Sequence, residues 1–241
     1  MSSWQRGASV GARRTTAGAA TRRPSAVEAP GQLRPGRAYA AGKRLVDLTV
    51  ATVALVVLAP VLLAVTVLVR VTSPGPALFR QTRVGRSGTP FLMLKFRTMQ
   101  DGCDSTAHRD YVRELLEGRA EAQDGLYKLV DDPRITRVGA VLRRLSIDEL
   151  PQLLNVLTGS MSLVGPRPAL PYEVEAFPPW AAPRYLVPPG LTGLWQVSGR
   201  SRLTMLQGLE LDVQYVEQRS ARLDLRILLR TVPAVLGRGV R

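Results

Sequence analysis

Two adjacent carboxylates, Asp148 and Glu149, are the residues of this sequence best suited to do chemistry. They stand just before Pro151, and because proline is tolerated in the first turn of a helix, a helix should begin within a residue or two of the pair. A helix N-terminus stabilises negative charge. An aspartate with an ordinary pKa of about 3.9 is ionised at neutral pH and can attack phosphorus without a base. The pair could therefore supply a nucleophile and a metal ligand.

The same spacing also has a purely structural explanation. Ser146 and Glu149 match a capping box, in which each side chain satisfies a backbone N–H of a helix start. Spacing alone favours this explanation, but the surroundings favour chemistry. Arg167 follows in GPRP, and four arginines precede the pair within fourteen residues: Arg134, Arg137, Arg143 and Arg144. Such an arrangement suits a pyrophosphate beside a divalent cation such as Mg²⁺, which would screen the repulsion between a carboxylate and phosphate oxygens.

Composition limits the expected partners and the possible kinds of catalytic chemistry. A length of 241 residues suggests one main domain with a tail. Lysine and arginine number 33 against 19 acidic residues, a net charge of +14, so anionic partners are expected: phosphates, acidic lipid or nucleic acid. A single cysteine, Cys103, excludes an internal disulfide framework, and a single histidine, His108, leaves little for a zinc site or a histidine-based triad. If the protein is an enzyme, we therefore expect carboxylates and cations to do the chemistry.

The elements that would position these residues follow an N-terminal arm. Residues 1–42 carry seven arginines and one glutamate among mostly small residues. They lack the apolar side chains needed to offset the entropy of ordering, so we expect a disordered basic arm. A cleaved secretory signal is disfavoured, because the first apolar run begins only at Leu48.

The apolar run covers residues 48–69 without a charge, and its 22 residues would make a helix of about 33 Å, long enough to cross a membrane. One transmembrane helix is the simplest interpretation, but two features oppose it. Pro60 lies near the middle and leaves the carbonyl of Val56 without its donor. Basic residues flank both ends, and the positive-inside rule then places both ends in the cytoplasm. We therefore favour a re-entrant helix–break–helix over residues 43–70, broken at Pro60.

Residues 71–241 should form the catalytic domain. The segments ALFRQTRV and PFLMLKFRTM, separated by GRSGT, predict a β-hairpin. In the second segment, a period of two would place Lys95 and Arg97 on one face, which could meet a phosphate or simply face solvent. Near the C-terminus, LDLRILLRTVPAVL pairs an apolar face with Arg226 and Arg230. This pattern suits a helix in the lipid headgroup plane, and it equally suits an ordinary domain helix.

Several blocks in fixed order resemble the monotopic bacterial sugar transferases, also called polyprenol-phosphate phosphoglycosyl transferases. The blocks are KRLVD followed by the apolar run, KFRTM, RRLSIDELPQLLNVLTGSMSLVGPRP, PGLTGLWQVSGR and LDVQYV. The resemblance covers about residues 43–237. It implies transfer of a sugar 1-phosphate from a UDP-sugar to a polyprenyl phosphate such as undecaprenyl phosphate, with release of UMP. This is the first membrane step of exopolysaccharide, O-antigen or capsule synthesis, at the cytoplasmic face of the bacterial inner membrane.

The resemblance also implies roles for individual residues. Asp148 would be the nucleophile that forms a covalent phosphosugar intermediate, and Glu149 beside it would help to hold Mg²⁺. Arg143 falls where the family places a phosphate-contacting arginine, and Arg167 matches an element that contacts the nucleotide or its phosphates. Two further polar motif positions, with roles left open, are Lys95 and Asp212.

These inferences together predict an α+β protein. A mostly helical catalytic domain (71–241) with a small β-hairpin would be anchored by the re-entrant helix (43–70) and by interfacial amphipathic helices. The alternative function is a membrane-anchored basic protein that binds nucleic acid or acidic lipid without catalysis. Nucleic acid is not the expected partner, because aromatic residues are only 5% of the chain and no recognition motif accompanies the charge. The sequence names neither the sugar nor the oligomeric state, and a homodimer is left open.

Overall fold

The computed structural model describes residues 36–100, 134–199 and 203–236. Within these ranges the protein is mostly helical with two small two-stranded sheets, which confirms the α+β class. The helices are α1 (Arg37–Thr72), α2 (Arg137–Arg144), α3 (Gln152–Thr158), α4 (Pro171–Ala176), α5 (Leu194–Ser198), α6 (Met205–Gln218) and α7 (Ala221–Leu236). The strands are β1 (Leu78–Val84), β2 (Pro90–Phe96), β3 (Ser162–Val164) and β4 (Gly190–Thr192). The predicted arm lies outside the described residues except for its last few positions.

Helix α1 contains the whole apolar run and begins at Arg37, ahead of the predicted boundary at residue 43. Among the described residues, it is the one helix long and apolar enough to cross a membrane. The rest of the protein does not cover its outer face, where Val56, Leu63 and Val71 are exposed by 69%, 67% and 74%. Because an apolar surface of this extent is not stable in water, it indicates that the protein associates with a membrane.

Pro60 lies inside α1, which continues through it as one helix. The predicted separation into two helices is therefore corrected to a single helix with an internal proline. The proline removes one hydrogen bond to the carbonyl of Val56, and its ring crowds that turn. The apolar residues on both sides still favour helix. The re-entrant course of this segment stays a prediction.

Both ends of α1 pack against the rest of the protein. Near the N-terminal end, Lys43 forms an ion pair with Asp224 at 3.0 Å. One turn further, Asp47 accepts hydrogen bonds from the Ser162 hydroxyl at 2.7 Å and the Leu163 N–H at 3.1 Å. The other end enters a buried cluster formed by Val65, Val69, Ala77, Phe96 and Leu142. One body of protein thus holds both ends of the apolar run.

The predicted hairpin is confirmed. Strands β1 and β2 pair antiparallel, from Leu78 opposite Phe96 to Val84 opposite Pro90. The connection closes with a hydrogen bond from the Gly85 N–H to the Thr89 carbonyl at 2.8 Å. Local alternation of apolar and polar residues was sufficient to predict this element.

A second sheet was not predicted. Strands β3 and β4 are parallel, with Ser162 opposite Gly190 and Val164 opposite Thr192. The chain that leaves β3 passes so close to the start of β4 that a Cβ atom on Gly190 would lie 2.1 Å from the nitrogen of Gly165. Two glycines are therefore needed at this contact, which places the GPRP segment against PGLTG.

Helix α7 is amphipathic, as predicted. Asp224 and Ile227 are buried against the domain. Its outward side carries exposed apolar side chains and arginines: Leu225, Leu229, Val232, Arg226 and Arg230. The location of this outward side in a headgroup layer stays a prediction.

Candidate active site

The two carboxylates lie on a short 3-10 helix, Ile147–Glu149, that joins α2 to α3. Asp148 is buried, with 6% of its surface exposed, and Glu149 is half-buried. The preceding Ser146 has a φ of 56°, in the left-handed region that residues with a Cβ rarely adopt, and its side chain makes no cap hydrogen bond. The capping box that spacing favoured is therefore not formed. Because sparsely populated backbone conformations cluster at active sites, this turn favours the chemical role.

Helix α3, which follows the pair, is held in its middle and in its last turn. The side chain of Asn155 joins it to β2 by accepting from the Leu94 N–H at 3.0 Å and donating to the Leu92 carbonyl at 2.8 Å. At the C-terminal end, the Arg44 guanidinium of α1 donates to two carbonyl groups in the last turn at 2.6 and 2.8 Å. The carboxylate turn is thus connected to the hairpin and to the membrane helix.

Helix α2, which precedes the pair, packs closely on the segment after β2. Thr136 caps α2 by accepting from the Gly139 N–H at 2.9 Å. Its own N–H donates to the Thr98 carbonyl at 3.0 Å. A Cβ atom on Gly139 would lie 2.1 Å from that carbonyl oxygen, so only glycine allows the contact. This packing fixes α2, whose last turn carries the half-buried Arg143, five residues before Asp148.

Lys95 and Arg97 have different surroundings. Lys95 is half-buried on β2, with its Nζ 5.2 Å from the ring centroid of Phe79. Strand β2 ends at Phe96, and Arg97 is buried. One guanidinium nitrogen of Arg97 donates to the backbone carbonyl and to the hydroxyl of Ser73, each at 2.7 Å. The Arg97 side chain is therefore bound to the residue that follows α1. Phosphate binding by either residue stays a prediction.

Asp212 is fully buried and pairs with Arg184, at 2.7 Å between Oδ2 and a guanidinium nitrogen. Burial raises the pKa of Asp212, and the charge of Arg184 opposes that shift. Burial lowers the pKa of Arg184, but Asp212 and Tyr185 together raise it by more, so the net shift is upward. The same guanidinium nitrogen donates to the Arg167 carbonyl at 2.6 Å. The buried pair thus holds the backbone at Arg167.

The Arg167 side chain is partly accessible, with 25% of its surface exposed. Its guanidinium lies 5.7 Å from the ring centroid of Trp195 and 3.6 Å from a carboxylate oxygen of Glu173. The Trp195 ring packs on α6 at Gly208, where a Cβ atom would meet ring atoms at 2.4 Å. An arginine supported in this way, with part of its side chain exposed, is suited to bind an anion.

Arg83 connects the carboxylate turn with this arginine. Burial lowers its pKa to about 10, Glu173 and Glu149 oppose that shift, and the positive charge of Arg167 adds to it. Its guanidinium donates to the Pro168 carbonyl at 3.0 Å. Glu149 and Arg167 are therefore both close enough to act electrostatically on Arg83.

Sequence reasoning missed three members of this charge network, Arg83, Glu173 and Arg184. Each is buried, at 7%, 0% and 3% exposure. In the sequence they look like ordinary surface charges, because their partners lie elsewhere in the chain. The position of Arg83 in an alternating strand was the only available signal, and it did not distinguish an inward from an outward side chain.

The donor set at the turn fits magnesium. No group of three or more histidine, cysteine or carboxylate side chains that could hold a metal occurs among the described residues. Two adjacent carboxylates are nevertheless sufficient for Mg²⁺, which is commonly held by one or two carboxylates together with substrate phosphates and water. Asp148 and Glu149 fit that pattern.

A membrane-associated α+β protein with a carboxylate pair beside arginines fits the class of phosphate-transferring enzymes. The chain matches the bacterial sugar transferase family over residues 38–238. It belongs to that family and is a transferase.

Known members of the family are similar over most of the chain. It is 41% identical to the exopolysaccharide production protein ExoY of Rhizobium meliloti, over 88% of this chain and 92% of that protein. It is 45% identical to the UDP-glucose:undecaprenyl-phosphate glucose-1-phosphate transferase of Caulobacter vibrioides, over 86% and 74%. It is 38% identical to the UDP-N-acetylgalactosamine-undecaprenyl-phosphate N-acetylgalactosaminephosphotransferase of Aeromonas hydrophila, over 88% and 48%.

Proposed function

We propose that this enzyme transfers a sugar 1-phosphate from a UDP-sugar to undecaprenyl phosphate or a similar polyprenyl phosphate and releases UMP. The observation that supports it best is the buried Asp148 beside Glu149, on a turn whose Glu149 acts electrostatically on Arg83, as Arg167 does. The names of the Caulobacter and Aeromonas relatives state UDP-sugar donors and the undecaprenyl-phosphate acceptor. Those names differ in the sugar, so the sugar is left unassigned. The product would begin the assembly of an exopolysaccharide, O-antigen or capsule-type glycan.

In the first step, a carboxylate oxygen of Asp148 attacks the phosphorus that carries the sugar. A bond forms between that oxygen and phosphorus, and the bond from phosphorus to the bridging oxygen breaks. UMP leaves with the bridging oxygen and its electron pair. Arg143 and Arg167 would stabilise the charge on the diphosphate as the bond breaks. The product is a phosphosugar joined to Asp148.

In the second step, a phosphate oxygen of the lipid acceptor attacks the same phosphorus. The bond to Asp148 breaks, the carboxylate is restored, and a polyprenyl diphosphosugar is released. A covalent intermediate lets one site handle a water-soluble donor and a lipid acceptor in turn, so ping-pong kinetics are expected.

Glu149 and Asp148 would hold Mg²⁺. When bound, the ion supplies positive charge that allows a carboxylate to approach phosphate oxygens. Lys95 stays a predicted phosphate ligand. Asp212 is assigned a positioning role instead, because its buried carboxylate is paired with Arg184 and faces no solvent.

We also propose that α1 is re-entrant, with both ends and the domain on the cytoplasmic side of the inner membrane. Near one end of α1, its residues Lys43 and Asp47 bind the domain. At the other end, Arg97 of the domain binds Ser73. A helix that crossed a bilayer would place its ends on opposite sides, about 30 Å apart, where one soluble domain could not hold both. The exposed apolar face of α7 would lie in the headgroup layer.

A panel of UDP-sugars tests the reaction. Purified enzyme with undecaprenyl phosphate and Mg²⁺ should release UMP from at least one of UDP-glucose, UDP-galactose and their N-acetylated counterparts. With donor alone, mass spectrometry of the intact protein should detect a sugar-phosphate adduct that Asp148→Asn does not form. Turnover without any adduct would exclude the covalent route. A salt-sensitive shift of DNA without turnover would favour the basic binding protein instead.

Labelling tests the topology. After Cys103→Ser, single cysteines at Ser25→Cys in the arm and Ser220→Cys in the domain should both react from the cytoplasmic side only. A periplasmic arm would contradict the re-entrant course. Pro60→Leu restores the missing backbone donor. An arm that stayed cytoplasmic in this variant would show that the contacts at the two ends, and not the proline, set the course.

A further inference from the structure

The loop that carries Arg167 is held at four consecutive residues. Every backbone group concerned is bound by a neighbour outside the loop or by the helix that follows it, which leaves the loop little freedom. In chain order, the Arg167 carbonyl accepts from Arg184, the Pro168 carbonyl from Arg83, the Ala169 carbonyl from the Val84 N–H, and the Leu170 N–H donates to Glu173.

Glu173 is the member of this set that also reaches the Arg167 side chain. It is fully buried, and its Oε2 accepts from the Leu170 N–H at 2.6 Å. Its Oε1 lies 3.6 Å from Nη1 of Arg167, and its Oε2 lies 3.9 Å from Nη1 of Arg83. One carboxylate therefore lies between two guanidinium groups.

The charges explain what this carboxylate does. Arg83 and Arg167 repel each other, since each is positive and the charge of Arg167 disfavours the protonated form of Arg83. Arg83 is buried and hydrogen-bonded, so it cannot move away. Arg167 is partly exposed and could swing toward solvent. Glu173 compensates the repulsion and keeps the Arg167 guanidinium against the loop.

We propose that Glu173 is a positioning residue that fixes the guanidinium of Arg167 to receive the diphosphate of the nucleotide donor. This inference rests on the proposed function. Glu173 itself does not touch the substrate, and its effect passes through Arg167.

A double-mutant cycle tests it. Glu173→Gln keeps the size and the acceptor for the Leu170 N–H but removes the charge. The second mutation of the cycle is Arg167→Ala. The matched control is Glu175→Gln, which changes an exposed carboxylate on the same helix. The measured quantity is the Kd of UDP with Mg²⁺ by calorimetry on the full chain in nanodiscs. The thermal melting midpoint is measured in parallel.

We expect Glu173→Gln to weaken UDP binding by roughly tenfold in the wild-type background and by less than about twofold when Arg167 is already alanine. Glu175→Gln should bind UDP as the wild type does. A loss of the same size in both backgrounds, or no loss at all, would overturn the inference, because a merely structural carboxylate acts independently of Arg167. If the wild type itself bound no UDP, the proposed function would fail first and this inference with it.

Discussion

The carboxylate turn and the Arg167 loop are built in opposite ways. At the turn, Asp148 and Glu149 lie on a three-residue 3-10 helix beside a strained serine, and the neighbouring elements provide the support. At the loop, buried charged side chains provide it directly: Arg83, Glu173, Arg184 and Asp212. We therefore expect substitutions in the two regions to have different effects. Charges at the turn should act on chemistry alone, whereas charges behind the loop should act on stability and activity together.

The largest effect is expected from Asp148→Asn. The amide has the same size but cannot act as the nucleophile, so UMP release should fall by at least about 10³-fold. The melting midpoint should change by only a few degrees, because the shape of the turn is retained. Glu149→Gln, the matched neighbour, should lose less activity and recover part of it at higher Mg²⁺. Turnover at the normal rate in Asp148→Asn would remove the turn from the mechanism.

Asp212→Leu tests the buried charges behind the Arg167 loop. It leaves Arg184 buried without its partner, which costs about 3–5 kcal/mol, so the melting midpoint should fall strongly along with activity. The double variant Asp212→Leu with Arg184→Met removes both charges and should regain much of the stability. It should not regain activity, since the Arg167 carbonyl still lacks its donor. Recovery of both would mean that the buried pair serves only folding.

A smaller effect is expected where α1 supports the turn. Arg44→Ala removes the guanidinium that binds the last carbonyls of α3, a loss of about 1–3 kcal/mol in stability. UMP release should drop by a few fold, because the helix after the carboxylates is less firmly held. Arg70→Ala, which removes an exposed arginine near the other end of α1, is the control and should change neither quantity. Equal effects from both arginines would assign the loss to general charge at the membrane.

The smallest effect concerns pH and the strand that leads into the Arg167 loop. The Tyr215 hydroxyl shares its one proton between Asp224 at 2.8 Å and the Val164 carbonyl at 3.1 Å. Burial, and then the charge of Asp224, raise the pKa of Tyr215 well above its ordinary value. A raised folded-state pKa contributes stability that is complete below the unfolded-state pKa of about 10 and is lost as the pH rises beyond it.

The wild-type melting midpoint should therefore fall more steeply above about pH 10 than that of Tyr215→Phe, which has no proton to lose. Differential scanning fluorimetry from pH 8 to 11 measures both slopes. Parallel curves would show that Tyr215 can ionise in place and that its burial does not link the strand to pH.

Local patterns in the sequence predicted much of this protein. Alternation predicted the hairpin, an uncharged run predicted the long apolar helix, and Pro151 predicted a helical start beside Asp148. The ordered motifs indicated the family that the comparisons then showed. Each of these signals is contained within a short stretch of chain, so no tertiary contact was needed to interpret it.

Only the tertiary structure decided what the buried charges do. Lys43 pairs with Asp224 across a sequence separation of 181 residues, and Arg184 pairs with Asp212 across 28 residues. No local spacing identifies such partners, so the sequence did not predict that Arg97 binds Ser73 or that Asp212 pairs with a buried arginine. A charged side chain can be buried only where the fold supplies an opposite charge or a hydrogen-bond partner. That condition is met by the arrangement of the whole chain, and by no segment of it alone.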